Sequence, residues 1–146
     1  MVNKAKDLIN ELLVEVFNNI LTIEDKELKD LGVELSMSEV HVLEAIRNAE
    51  LPTMTNVAKK LRVTVGTLTT SVGTLVKKGY VKRKRGIEDK RVVFLHLTDE
   101  ALKVLVLHDN FHDKMIEAVF QDLNLGEDEV LIKSLENVSE YFKKHY

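Results

Sequence analysis

The sequence predicts a mainly α-helical chain in which one short β-hairpin, Tyr80 to Leu97, interrupts a series of helices. Apolar residues recur at steps of three and four through most of the chain, the period of helices with one buried face. From Val92 to Leu97 the period changes to two, with Val93, Leu95 and Leu97 alternating against Val92, Phe94 and His96, as in a half-buried strand. Helix-start and helix-stop residues punctuate the chain between these runs.

Ala5, Leu8, Leu12, Val16, Ile20 and Ile23 share one helical face, so a long first helix with that face buried is expected from Lys4 to Ile23. Ser36 followed by Glu39 is a capping box, and it opens a second helix with Val40, Leu43 and Ile46 inward. Pro52 and Thr53 start a short helix through Val57, Ala58 and Leu61. After a tight turn at Arg62-Val63, Thr64 caps the next helix, which carries Leu68, Val72 and Leu75 inward and ends in Lys77, Lys78 and a C-terminal Gly79. Two short helices joined this closely fit a helix-turn-helix. Tyr80 to Arg85 reads as a strand, Gly86 to Lys90 as its turn, and Val92 to Leu97 as the return strand. Thr98 caps a long helix from Ala101 to Leu123, through Leu102, Leu105, Ile116 and Val119, which Asn124 to Gly126 breaks. A last helix aligns Leu131, Leu135, Val138 and Phe142.

A length of 146 residues suggests one domain, with the helix-turn-helix and hairpin region at residues 36–98 and helical flanks at residues 1–35 and 99–146. There is no apolar run long enough for a membrane span and no signal-peptide pattern, so a cytoplasmic protein of a bacterium is expected, with no membrane partner. Zero cysteines exclude disulfides, thiolate metal sites and cysteine nucleophiles. No Ser-His-Asp set, carboxylate pair or glycine-rich phosphate loop points to an enzyme.

Charge is unevenly distributed. Eleven of the 21 Lys and Arg residues lie between Thr53 and Arg91, where Glu88 and Asp89 are the acidic residues, so that window carries +9 and the remainder −12. Such a split points to a polyanion partner, double-stranded DNA. A helix entering the major groove needs small or flexible exposed side chains, and Thr67, Thr70, Ser71 and Thr74, after the capping Thr64, offer hydroxyls and methyls. Hydroxyls on a merely solvated face would look the same. Lys82, Arg83, Lys84 and Arg85 suit phosphate neutralisation, with a solvated charge run as the alternative. Gly66 and Gly73 weaken the helix and fit either a close backbone approach or a packing accommodation.

These features resemble the MarR family of bacterial transcription regulators over nearly the whole chain. EDKRVVFLHLT, Glu88 to Thr98, resembles the family's wing signature D-x-R with its hydrophobic strand and Thr cap, and Val63 to Arg83 resembles its recognition helix and the exit into the wing. The resemblance implies a winged helix-turn-helix with a two-stranded β-wing, flanked by long N- and C-terminal dimerisation helices. It implies a homodimer on a pseudo-palindromic operator, Arg91 in the minor groove, and Asp89 holding the wing's arginine side chains. Lys90 stands where relatives often have Arg, which leaves it a phosphate contact. Leu131, Leu135, Val138 and Phe142 would then be interface residues, unless they fill an intramolecular core.

FNNIL (Phe17 to Leu21), VTVGTLTTSV (Val63 to Val72), RVVFLHLT (Arg91 to Thr98) and the His-x-x-x-His of His108 and His112 resemble more narrowly the branch that represses fatty-acid synthesis genes. That branch implies no required cofactor and long-chain acyl groups on acyl carrier protein as corepressor. Helices rich in Leu, Ile and Val permit the apolar tunnel this requires, and make a plain core equally well. His108 and His112 share a helix face and, with His41 and Glu24, also resemble the metal site of the family's zinc-responsive repressors. A polar hydrogen-bonded cluster would use the same residues. Three readings follow: a fatty-acid-synthesis repressor, a zinc-responsive repressor, and a winged-helix protein-interaction module without a DNA role.

Overall fold

The computed structural model describes residues 2–121 and 127–145. They form α1 (Val2–Glu11), a π-helical turn (Leu12–Val16), α2 (Phe17–Asp30), α3 (Met37–Asn48), α4 (Met54–Leu61), α5 (Val65–Lys77), β1 (Val81–Arg85), β2 (Val93–Leu97), α6 (Asp99–Gln121) and α7 (Glu129–His145). The expected Leu123 and Asn124 to Gly126 helix end lies outside the described residues. The chain divides into two compact units, Met1–Asp109 and Asn110–Tyr146.

The first unit holds the core. Leu28, Val40, Leu43, Val57, Leu68, Val72, Leu75, Val81, Leu95 and Leu105 are buried together, so the inward faces expected of α3, α4 and α5 are the faces that pack. Each fully buried Leu contributes about 1.5–3 kcal/mol of transfer free energy. Side-chain caps start the helices where the sequence places them. The Ser36, Thr53 and Thr64 hydroxyls accept the backbone N–H of Glu39, Asn56 and Thr67 at 3.2, 3.1 and 3.1 Å. Glu39 does not complete its box. Its carboxylate takes Lys78 Nζ at 3.0 Å, which ties the start of α3 to the end of α5.

Three helices end in the same way, with a left-handed residue and paired 6→1 and 5→2 backbone bonds. After α2 the residue is Gly32 (φ 81°), with Val33 N–H donating to Leu28 O at 2.9 Å. After α5 it is Gly79 (φ 85°), with Tyr80 N–H donating to Leu75 O at 2.9 Å. After α4 it is Arg62 (φ 57°), with Val63 N–H donating to Ala58 O at 3.0 Å. This last exit is the turn of the helix-turn-helix, made without glycine.

β1 and β2 pair antiparallel, Val81 with Leu97, Arg83 with Leu95 and Arg85 with Val93. The hairpin is also held from its other edge. Leu95 N–H donates to Pro52 O at 2.8 Å, and Thr53 bridges Phe94. The segment leading into α4 therefore serves as a short third strand, which leaves Thr53 buried as well as capping.

The flanks depart from expectation. The first helix runs on to Asp30 and includes a π-helical turn that the regular three-four spacing did not signal. Leu8, Leu12 and Ile23, expected to be buried, are 53%, 49% and 54% exposed. In α6 the buried residues are Ala101, Val104, Leu105 and His108, while Leu102, Ile116 and Val119 are exposed. In α7, by contrast, the exposure of Leu135, Val138 and Phe142, with Leu131 half-buried, is compatible with the interface role expected of them.

Gly79 offers a clean test of the α5 exit, since an added Cβ would meet nothing within 4 Å and would feel only the left-handed backbone. Gly79→Ala is expected to lower unfolding free energy by about 1–2 kcal/mol, read as a shifted urea midpoint at unchanged slope.

Candidate nucleic-acid interface

Burial of Leu68, Val72 and Leu75 sets the orientation of α5. At about 100° per residue, the ridge opposite that buried stripe carries Gly66, Thr70, Gly73, Thr74 and Lys77. Thr67 and Ser71 flank it on one side, Val65 and Thr69 on the other. Thr64, Thr67, Thr70 and Thr74 are exposed, and Ser71 is half-buried.

The hydroxyls on this helix are turned toward its own backbone. Thr69, Thr70, Ser71 and Thr74 donate to the carbonyls of Val65, Gly66, Thr67 and Thr70 at 2.7, 3.4, 3.4 and 3.4 Å. Thr64 donates to Thr67 Oγ1 at 2.9 Å while accepting the capping bond. Donating inward leaves the oxygen lone pairs free to accept, so the face presents acceptors and methyls. Base amino groups and thymine methyls are complementary to that set.

Strand parity divides the basic quartet of β1. Lys82 and Lys84 stand opposite His96 and Phe94, on the face away from the core. Arg83 and Arg85 share the face of Val81, which is buried, and Arg83 stands opposite buried Leu95. All four are exposed. The four consecutive basic residues are therefore divided between the two faces of the hairpin.

The wing turn closes through Gly86, whose N–H donates to Val92 O at 2.8 Å. A Cβ there would come within 2.5 Å of Asp89 O, so no other residue fits. Within the turn the Asp89 carboxylate accepts Arg91 backbone N–H at 3.0 Å, Nε–H at 3.1 Å and Nη2–H at 3.2 Å. The Arg91 side-chain hydrogen bonds, followed by that backbone N–H, hold the Asp89 carboxyl below its ordinary range. Arg91 remains 91% exposed while its direction is fixed. Lys90 is exposed beside it.

Between α4, α5 and the wing lies an open cleft of about 900 Å³, lined among others by Asn56, Val65, Thr69, Arg83, Asp89 and Arg91. Sequence reasoning missed Asn56, Val65 and Thr69. The signal was available for the last two, which lie four apart on the flank of α5 toward the wing. Lys78 belongs to the basic window in sequence but is engaged internally, by Glu39 and by Glu34 O at 3.2 Å.

A second group lies within the first unit, away from the wing. Ligand atoms of Glu24, His41 and His108 all fall within 4.8 Å of one another, with Glu24 and His108 buried. His108 Nε2 is 3.5 Å from Glu24 Oε1, and the His41 and His108 rings meet edge-on at 6.3 Å. His112, the fourth residue expected there, belongs to the other unit. A second grouping of His108 with Glu44 and Asp109 is better explained by Arg47, which takes Asp109 through two bonds of 2.6 and 3.0 Å and lies 3.9 Å from Glu44.

The family profile "MarR family" matches residues 35–93. The HTH-type transcriptional regulator SarZ of Staphylococcus haemolyticus is 31% identical over 107 residues, 72% of this chain and 70% of that one. The chain belongs to the MarR family. Among solved structures of this fold, that of Streptococcus pneumoniae FabT in complex with DNA superposes with a TM-score of 0.86 at 37% identity, covering 97% of this chain and 99% of FabT. The uncharacterized HTH-type transcriptional regulator YpoP of Bacillus subtilis is 28% identical over 99% of this chain and 95% of its own length. The chain is thus a MarR-family DNA-binding transcriptional regulator and not an enzyme. Among the described residues no helix is long and apolar enough to cross a membrane.

The divided quartet and the fixed Arg91 give separable expectations in gel-shift titrations against duplex DNA. Lys84→Ala is expected to reduce the slope of log affinity against log salt by about 1 without changing sequence preference. Arg91→Ala is expected to weaken binding to the preferred sequence by about 1–3 kcal/mol. Wild-type affinity in the second variant would remove the wing turn from the interface.

Proposed function

We propose that this MarR-family regulator is a homodimeric repressor of fatty-acid synthesis genes, with long-chain acyl groups on acyl carrier protein as corepressor. The observation that carries this reading is the likeness to FabT along nearly the full length of both chains. It agrees with the segments at Phe17–Leu21, Val63–Val72 and Arg91–Thr98 that resemble the fatty-acid-synthesis branch. In this reading Thr67, Thr70, Ser71 and Thr74 face the major groove, Lys82 and Lys84 meet phosphates, and Arg91 probes the minor groove under the control of Asp89. The protein acts in the cytoplasm, where its operator is.

The apolar surface of the flanks supports a second copy. In the unit Asn110–Tyr146 no described side chain is fully buried, although α7 carries a regular apolar stripe. Leu135, Val138 and Phe142 on that stripe are exposed, and in the first unit so are Leu8 on α1 and Leu12 on the π-helical turn; apolar residues exposed at helical spacing are what protein interfaces cover. Two-fold pairing would double each weak half-site. An acyl chain requires apolar enclosure, and the same faces would supply it once a partner closes over them.

A specific observation also favours a zinc-responsive reading: the convergence of Glu24, His41 and His108 from α2, α3 and α6. Two imidazoles and a carboxylate match zinc in donor type and supply three of the four ligands of a tetrahedral site. A bound ion would cross-link the three helices and neutralise buried Glu24.

Operator affinity measured with palmitoyl or oleoyl acyl carrier protein, and separately with zinc or a chelator, separates the two. Tighter binding with the acyl carrier alone is the expected result, whereas metal dependence that disappears in His108→Ala would replace the first reading with the second. Light scattering is expected to give twice the chain mass, falling to one in Leu135→Glu; a monomeric wild-type protein would overturn the dimer.

A further inference from the structure

We infer that Arg83, a residue of the wing strand, works as part of the recognition helix: its guanidinium lies in a slot on α5 left open by Gly73 and reads a guanine in the major groove. The inference rests on the reading of α5 as the groove-entering helix.

Three observations converge on it. The pleat sends Arg83 to the face of β1 that also carries Val81, opposite buried Leu95, which is the face packed toward α5. A Cβ built on Gly73 would lie 3.3 Å from Arg83 Nη2, nearer than side chains ordinarily sit, so the glycine makes room for this guanidinium. Gly73 is half-buried although it lies on the outward ridge of α5, because Arg83 lies against it. Gly66, on the same ridge, has only its own capping Thr64 nearby, at 3.9 Å, so the slot is local to Gly73.

The chemistry of the ridge gives the slot a purpose. Gly66, Thr70, Gly73 and Thr74 are too short to span far into a groove, and their hydroxyls already donate to the backbone. From Gly66 to Thr74 the ridge thus offers acceptors and methyls, and its one strong donor is the Lys77 ammonium in the last turn, a point charge without the planar fork that pairs with two acceptors. Guanine presents two acceptors, O6 and N7, in the major groove, and a guanidinium meets both at once. Arg83 supplies that donor pair from the neighbouring strand. The other structured cations nearby are committed elsewhere, Arg91 to Asp89 and Lys78 to Glu39, whereas no carboxylate among the described residues pairs with Arg83.

In vitro selection of a randomised duplex library by the full-length chain tests this. Wild type is expected to enrich a guanine at one position per recognition helix, preferred by roughly 10- to 100-fold. Arg83→Ala and Arg83→Lys should both lose that preference and keep the others, because an ammonium cannot make the paired contact. Gly73→Ala, whose Cβ would shift the guanidinium by a few tenths of an ångström, should weaken it and add nothing further in the Arg83→Ala background. The proposal is overturned if Arg83→Ala selects the same sequence with uniformly lower affinity, or if Arg83→Lys restores full preference, either of which marks a phosphate contact. It is also overturned if Gly73→Ala acts equally in both backgrounds. Enrichment of no sequence by wild type would instead remove sequence reading by α5 itself, and this inference with it.

Discussion

The placement of the wing depends on one junction, where Thr98 meets Gly79. Thr98 Oγ1 donates to Gly79 O at 2.7 Å and Thr98 N–H to Tyr80 O at 3.1 Å, and the same hydroxyl accepts Ala101 N–H at 3.4 Å as the cap of α6. One threonine therefore joins the end of α5, the start of β1, the end of β2 and the start of α6. Gly79 can enter the junction because its left-handed backbone turns the chain at the end of the helix without a Cβ penalty. With α5 and β1 fixed in this way, the distance between recognition helix and wing is a property of the core.

The charges follow the same logic of fixed direction. Surface ion pairs contribute little to stability, typically under about 1 kcal/mol, yet here they decide where cations point. Glu39 draws Lys78 inward, Asp89 aims Arg91 outward, and Asp109 clamps Arg47 between α3 and α6. A basic window that appears uniform in sequence thereby separates into an internal tether, an aimed arginine and free lysines on the outer face of the hairpin. The remainder of the chain carries the opposite net charge, −12 against +9.

α6 links the wing junction to the core. It begins at the junction that sets the wing and brings His108 into the core beside Glu24 and His41. In both proposed readings a ligand bound around His108, or over the exposed Leu102 and Val106, would touch the helix that starts at the wing junction.

The sequence by itself determined the helix order, the four serine and threonine caps, the two strands of the hairpin and the inward faces of α3, α4 and α5, since these depend on periodicity and on side-chain bonds three residues apart. The family and the wing signature were legible for the same reason, being local strings. The tertiary structure alone decided what depends on distant neighbours. It showed that Arg83 meets Gly73, that Lys78 serves Glu39, that Pro52 and Thr53 extend the sheet, and that Leu8 and Leu12, and in the other unit Leu135 and Phe142, are exposed. A helical stripe specifies that a face is apolar without specifying what covers it, and a run of basic residues does not reveal the pleat that sends alternate charges to opposite sides.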